Sequence, residues 1–357
     1  MRIAIVNDLA LAREILCRLV LSVPGYEVAW TAENGDEAVE KTLGDRPDII
    51  LMDLVMPVMD GVEATRRIMA QSPCPILLVT SSVTGNFNMV YRAMGLGGLD
   101  AVNTPTMGPD GTICDGEGIL ARIAKLEQAL RSPSVVSGIR NAEWGMQNAE
   151  SFAPIPHSTF RIPHSTAGHL PLLIGLGAST GGPEALARIL AALPAALPAS
   201  VVIVQHIAAD FAPSLARWLG GHCALPVHLA REGDQLKVGQ VLLAGSNDHL
   251  ILRSDHCLAY TAQPIDYPYR PSIDVFFSSL AAAWSRPGLA VLLTGMGSDG
   301  ARGLLHLRRA GWHTITQDQA SSVVYGMPKA AADLHAASQI LPLAQIPHTI
   351  LDRTSRT

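Results

Sequence analysis

Three residue types with the chemistry of acyl transfer stand just after apolar, strand-like runs in the C-terminal half of the chain. Ser179 lies in Gly177-Ala-Ser-Thr-Gly181, between the apolar run Leu170–Leu176 and a helical pattern carrying Leu186, Ile189 and Leu190. Gly-x-Ser-x-Gly between strand and helix is the arrangement of a nucleophile elbow, in which glycines permit the sharp turn. Helix amides then point where an oxyanion would form. Pro183 and Glu184 suit the first helical positions, where amides are unpaired and negative charge is favoured. A Gly-rich phosphate-binding turn fits the same pattern.

His206 ends the run Ser200–His206, and Asp299 follows Leu289–Thr294 within Gly295-Met-Gly-Ser-Asp-Gly300. Together the three supply a hydroxyl nucleophile, an imidazole base and a carboxylate that fixes the tautomer. Their order along the chain, Ser, His, Asp, differs from the Ser, Asp, His order of α/β-hydrolases and argues against that fold. Twelve histidines leave other bases open, His249 and His306 among them. Asp274 is a second acid, placed where it would favour a helix N-terminus near Ser272.

Elements that could position these groups alternate along the chain. In the N-terminal half, strand-like Arg2–Val6, Tyr26–Thr31, Asp48–Met52 and Ile76–Thr80 are separated by helical patterns at Leu9–Val20, Gly35–Leu43, Gly61–Ala70 and Phe87–Met94. Such alternation predicts an α/β fold with a parallel sheet covered on both faces, and ligands at the carboxyl ends of the strands. Asn7, Asp8, Asp53 and Thr80 lie at those ends. Two carboxylates there can hold a magnesium ion through oxygen ligands, and one could accept a phosphoryl group.

Composition bounds the function classes. The chain has 357 residues, 48% hydrophobic and 16% charged, which allows two domains with cores of their own. A net charge of -5 without a long basic run argues against nucleic acid as a partner. The apolar stretches are too short for a membrane span, and no export signal is visible, so no membrane insertion and a cytoplasmic location are expected. Five scattered cysteines without a Cys-x-x-Cys suit reduced thiols. Periodicity is lost from Ser132 to about His169, where Ile155-Pro-His-Ser-Thr159 recurs as Ile162-Pro-His-Ser-Thr166. Residues 131–169 therefore read as a flexible linker between units at 1–130 and 170–352.

The segment Ile50-Leu-Met-Asp-Leu-Val-Met-Pro-Val-Met-Asp-Gly61, with Thr80, resembles a response-regulator receiver domain, a flavodoxin-like fold. The resemblance implies Asp53 as phosphoacceptor, a histidine kinase as phosphodonor, magnesium held by Asp8, Asp53 and Val55, and Thr80 and Thr104 at the switch positions. Two departures stand out. Asn7 replaces one of the paired acids, and Thr104 stands before Pro105 where receivers carry a lysine.

Gly177-Ala-Ser-Thr-Gly-Gly-Pro183, Gln205-His206, Tyr269-Arg-Pro-Ser272, Leu293–Ala301 and Tyr325-Gly-Met-Pro-Lys329 follow one another in the pattern of the CheB family of chemotaxis protein-glutamate methylesterases. That resemblance implies a doubly wound, mainly parallel α/β esterase domain. It makes Ser179 the nucleophile, His206 the base and Asp299 its orienting acid, with Thr180 and Met296 in support. It also implies γ-glutamyl methyl esters on a methyl-accepting chemoreceptor as substrate, glutamine deamidation as a second activity, and no cofactor for the ester hydrolysis. Asn7, Asn103-Thr104-Pro105 and Val58–Arg66 look closer to the Wsp-type branch, which implies a surface-sensing, chemosensory-like pathway. The alternative is a receiver-linked scaffold that docks partners without hydrolysis.

Overall fold

The computed structural model describes residues 1–81, 85–130, 170–265, 267 and 269–355. The expected linker, with its repeated Ile-Pro-His-Ser-Thr, lies outside the described residues.

The N-terminal elements are β1 (Arg2–Val6), α1 (Ala10–Leu21), β2 (Glu27–Ala32), α2 (Gly35–Gly44), β3 (Ile49–Met52), α3 (Gly61–Gln71), β4 (Ile76–Thr80), α4 (Phe87–Gly95) and β5 (Gly98–Asn103). A small hairpin, β6 (Thr106–Met107) and β7 (Ile113–Cys114), then leads to α5 (Gly116–Leu130). The sheet order is β2-β1-β3-β4-β5, all parallel. Strands covered on both faces read as unbroken apolar runs, and every residue of β3 and β4 is buried. Asn34 and Asp60 cap α2 and α3, their side chains accepting the amides of Glu37 and Glu63. The chain leaves β1 for β2 on one side and β3 on the other. This reversal opens a crevice between Asn7-Asp8 and Asp53.

The C-terminal elements begin with β8 (Leu172–Ala178), α6 (Gly182–Ala191), β9 (Ala199–Gln205), α7 (Ala212–Gly220), β10 (Val227–Leu229) and β11 (Val241–Leu243). An antiparallel pair, β12 (His249–Leu252) and β13 (Leu258–Thr261), precedes α8 (Ile273–Ala283). Then come β14 (Leu289–Leu292), α9 (Ala301–Arg309), β15 (His313–Gln317), α10 (Met327–Asp333), β16 (Gln339–Leu341) and α11 (Ile346–Ser355). The seven-stranded order is β10-β11-β9-β8-β14-β15-β16, with every pairing parallel. Here the reversal falls between β8 and β14, so the ends of β9, β8 and β14 are neighbours on one edge.

β8 differs from the sequence expectation in extent. It runs through Gly177, which was expected to open the turn, because Gly177 is packed beneath α8. A Cβ there would lie 2.4 Å from Ile273 Cγ2. The glycine serves close strand–helix packing, and the turn starts at Ser179.

The two sheets share an apolar core through α4, which packs on α6 and α7. Tyr91 on α4 is fully buried, its ring 5.2 Å from Trp218 and its hydroxyl bonded to the Phe211 carbonyl at 3.1 Å and Ser214 Oγ at 3.0 Å. At a second contact, Met296 and Val324 belong to the same apolar cluster as Val79, Leu99 and Val102 of the N-terminal sheet.

The N-terminal crevice gives a direct stability test. A Cβ on Gly61 would sit 2.0 Å from the Asp53 carbonyl oxygen, a backbone atom that cannot move aside cheaply. Gly61→Ala is expected to destabilise the chain by about 1–3 kcal/mol, as overpacking does. Thermal unfolding against wild type checks it, and an unchanged midpoint would contradict the packing described.

Candidate active site

The three sequence-predicted groups converge at the neighbouring ends of β9, β8 and β14. Ser179 follows β8 and is partly exposed. Its amide donates to the Thr294 carbonyl at 3.0 Å, and its carbonyl accepts from Gly182 N and Gln205 Nε2, both at 2.8 Å. The residue is thus fixed by its backbone while its side chain stands clear. Gly181 caps α6 with φ +76°, a left-handed conformation that suits glycine. Across from it, Gly295 approaches so closely that a Cβ would lie 2.6 Å from Ser179 Cβ and 2.3 Å from Met327 Sδ. The loop after β14 therefore lies against Ser179.

His206 turns Nε2 to Asp299 Oδ2 at 2.7 Å. Its Nδ1 is buried and without a hydrogen-bond partner among the described residues. The imidazole nitrogen available for proton transfer is Nδ1.

Asp299 is the most heavily ligated group at the site. Besides His206 it accepts Ser272 Oγ at 2.7 Å, Ile273 N at 2.7 Å and Asp274 N at 3.1 Å. The two amides belong to the first turn of α8, a helix N-terminus with unpaired donors. Burial alone pushes the carboxyl up. The hydrogen bond and charge of His206, then the Ile273 amide and the Ser272 hydroxyl, outweigh it and hold Asp299 below the ordinary carboxylate range. It is therefore an anion at neutral pH.

The alternatives raised by the sequence find other places. His249 is fully buried, with Nδ1 accepting from Ser272 N at 3.1 Å and Nε2 donating to the Pro264 carbonyl at 3.1 Å. It holds the segment that holds Asp299. His306 sits on α9 against Ser278 at 3.0 Å. Asp274 lies in the first turn of α8 as expected, and also accepts Gly303 N at 2.7 Å, which ties α9 to α8. Burial raises its pKa above the usual value. Thr180 is buried beside Ser179, where its carbonyl accepts Thr294 Oγ1 at 2.9 Å. No hydrogen bond joins its side chain to His206 among the described residues. Met296 is buried in the loop that abuts Ser179.

Ser272, Gln205 and Tyr269 have no role at the sequence level beyond their place in the family motifs, and His249 stands there only as a rival base. Only Ser272 carries a local signal, a serine just before a helical pattern. Tyr269 stacks on His206 with ring centroids 4.6 Å apart and planes 5° from parallel.

In the N-terminal crevice, Asp53 Oδ2 accepts Asn7 Nδ2 at 2.8 Å, and Oδ1 accepts the amides of Leu54 at 2.6 Å and Val55 at 3.4 Å. Burial pushes its pKa up to about 6, with the Asp8 charge adding to the shift against the two amides. Thr80 Oγ1 accepts Asn86 Nδ2 at 3.0 Å, and Thr104 N donates to the Thr80 carbonyl at 2.9 Å. The two switch positions are therefore adjacent strand ends. Asp8, Asp53 and the Val55 carbonyl make an all-oxygen donor set suited to magnesium, with one carboxylate fewer than paired acids would give.

Comparison with known proteins agrees with this architecture. Residues 174–350 match the family described as CheB methylesterase, and residues 3–108 match the response regulator receiver domain. A protein-glutamate methylesterase/protein-glutamine glutaminase from Burkholderia orbicola is 49% identical over 100% of this chain and 99% of its own. One of the same description from Mesorhizobium japonicum is 49% identical over the full length of both. The crystal structure of the Thermotoga maritima CheB methylesterase catalytic domain is similar at a TM-score of 0.50 and 32% identity, covering 52% of this chain and 100% of that one. A parallel sheet presenting Ser179, His206 and Asp299 on one edge, behind a receiver-type sheet, places the chain in the family of receiver-linked CheB protein-glutamate methylesterases.

Proposed function

We propose that Ser179 is the nucleophile of this methylesterase, His206 its general base and Asp299 the acid that orients and supports the base. The observation that carries the reading is the hydrogen bond from His206 Nε2 to a buried, anionic Asp299, with Nδ1 left over at the strand edge that bears Ser179. Ser179 Oγ attacks the γ-glutamyl ester carbonyl while Nδ1 takes its proton. The carbonyl oxygen becomes an oxyanion that the Met296 amide stabilises. The tetrahedral intermediate collapses, its C–O bond breaks, and the proton passes from His206 to departing methanol. Water then attacks the glutamyl-enzyme through the same base and frees Ser179. With glutamine the leaving group is ammonia. Asp299 keeps its charge throughout and stabilises the imidazolium.

The substrate in this reading is the helical cytoplasmic region of a methyl-accepting chemoreceptor, and the enzyme works in the cytoplasm. No helix among the described residues is long and apolar enough to cross a membrane. The regulatory unit spans 1–130, the connector 131–169 and the catalytic unit 170–352. A histidine kinase supplies the phosphoryl group to Asp53. Magnesium, held by Asp8, Asp53 and the Val55 carbonyl, would neutralise charge on the phosphoryl oxygens. Asn7 donates to the acceptor carboxylate where receivers place an acid, and Thr104 leaves the usual lysine contact unmade. Coupling therefore runs through Thr80 and its neighbours. The unphosphorylated receiver restrains the esterase, a reading supported by the shared apolar cluster at Met296 and by the Tyr91 contact.

Three outcomes are expected. Methanol release from a methylated chemoreceptor fragment should fall by at least about 10³-fold in Ser179→Ala, and equal release from both proteins would favour the docking scaffold. Deleting residues 1–165 should raise release, whereas unchanged or lower activity would contradict restraint by the receiver. Asp53 has its folded pKa raised, so the stability it contributes is complete below the ordinary carboxylate range and is lost as pH rises through about 6. In EDTA, Asp53→Asn should raise the unfolding midpoint at pH 7.5 by about 2–4 °C, and by much less at pH 4.5. Equal shifts at both pH values would contradict this.

A further inference from the structure

His206 is held in its plane by less than its role demands. Its one side-chain hydrogen bond, Nε2 to Asp299 Oδ2 at 2.7 Å, fixes the distance to the acid but leaves the ring free to roll about that line. Rolling would change where Nδ1, which has no partner of its own among the described residues, points.

Tyr269 removes that freedom. Its ring lies face to face with the imidazole, 4.6 Å between centroids and 5° from parallel. Its far end rests on the loop after β14, where a Cβ on Gly297 would lie 2.4 Å from the phenol oxygen. The tyrosine therefore spans the imidazole and the loop that carries Met296. It is anchored in turn: Arg270 bonds Asp248 at 2.9 Å and the Ala262 carbonyl at 3.0 Å, and Ser272 and Ile273 bind Asp299. One short segment thus holds both the acid and the plane of the base. The phenol stays neutral, since burial and then the Asp299 charge raise its pKa. An uncharged aromatic face beside an imidazole favours the imidazolium through its quadrupole.

We propose that Tyr269 is a positioning residue of this active site, its ring fixing the roll of His206 so that Nδ1 faces Ser179 Oγ and supporting the imidazolium formed there. The assignment rests on the roles given above to Ser179 and His206. In each half-reaction the proton leaves an attacking oxygen as the new O–C bond forms. It resides on Nδ1, then passes to the leaving oxygen as the old C–O bond breaks. Tyr269 exchanges no proton.

The test compares full-length wild type, Tyr269→Phe, Tyr269→Leu and Ser179→Ala for methanol release from a methylated chemoreceptor fragment. Labelling of Ser179 by a fluorophosphonate gives a second readout that does not depend on receptor binding. Tyr269→Phe should keep at least half of kcat, because the ring face remains. Tyr269→Leu should lose about 10–100-fold in kcat and in labelling rate, with KM within about twofold, as a misplaced catalytic group does. Should the leucine variant not fold, Tyr269→Met, long and apolar but without a ring, carries the same expectation. A leucine or methionine variant within twofold of wild-type kcat would overturn the proposal, as would a phenylalanine variant as slow as leucine, or a loss confined to KM. Undiminished release by Ser179→Ala would instead overturn the underlying assignment of the nucleophile.

Discussion

The site depends on one buried carboxylate. Asp299 is withdrawn from water, and an anion in such surroundings persists only when its lone pairs are taken up. Four donors do this: the His206 imidazole, the Ser272 hydroxyl and the amides of Ile273 and Asp274. Three of the four come from the start of α8, so the N-terminus of that helix must be delivered to the end of β14. Gly177 and Gly303 allow the approach by letting α8 lie close against β8 and α9. The placement of His206 follows from the charge of Asp299, and the Tyr269 ring stacked on the imidazole limits how it can turn about that bond.

The same economy places His249, fully buried, in a holding role. Its two nitrogens are spent on Ser272 N and the Pro264 carbonyl, which hold the loop entering α8. Loss of that tie would reach the base through two intermediaries, Ser272 and Asp299. Asp274 plays a parallel part on the far side, joining α8 to α9 through Gly303 N.

The receiver shows the opposite balance. Burial raises the pKa of Asp53, and the Asp8 charge adds to that, against few ligands: one side-chain amide and two backbone amides. A phosphoacceptor is poised by such a deficit, since a cation or a phosphoryl group with its counter-ion relieves it. Asn7 donates a hydrogen bond to that carboxylate. Thr80 accepts a hydrogen bond from Asn86, the residue preceding α4, and that helix carries Tyr91 against Phe211 and Trp218 of the C-terminal half.

Much was legible in the sequence. Alternating apolar runs and helical patterns announced two parallel sheets, because strands covered on both faces need unbroken hydrophobic segments. Ser179, His206, Asp299 and Asp53 were legible for a related reason: polar residues at the ends of such runs stand where ligands meet the sheet edge. The turn at Ser179 was misjudged by two residues, since Gly177 satisfies a packing demand made by Ile273, a residue far along the chain. The sequence by itself determined which chemistry was present and on which strand ends. Only the tertiary structure decided which imidazole nitrogen faces the acid, which donors keep that acid ionised and which ring covers the base. Those choices are made by segments 25 to 93 residues apart, and contacts over such separations exist only once the sheet has brought its strand ends together.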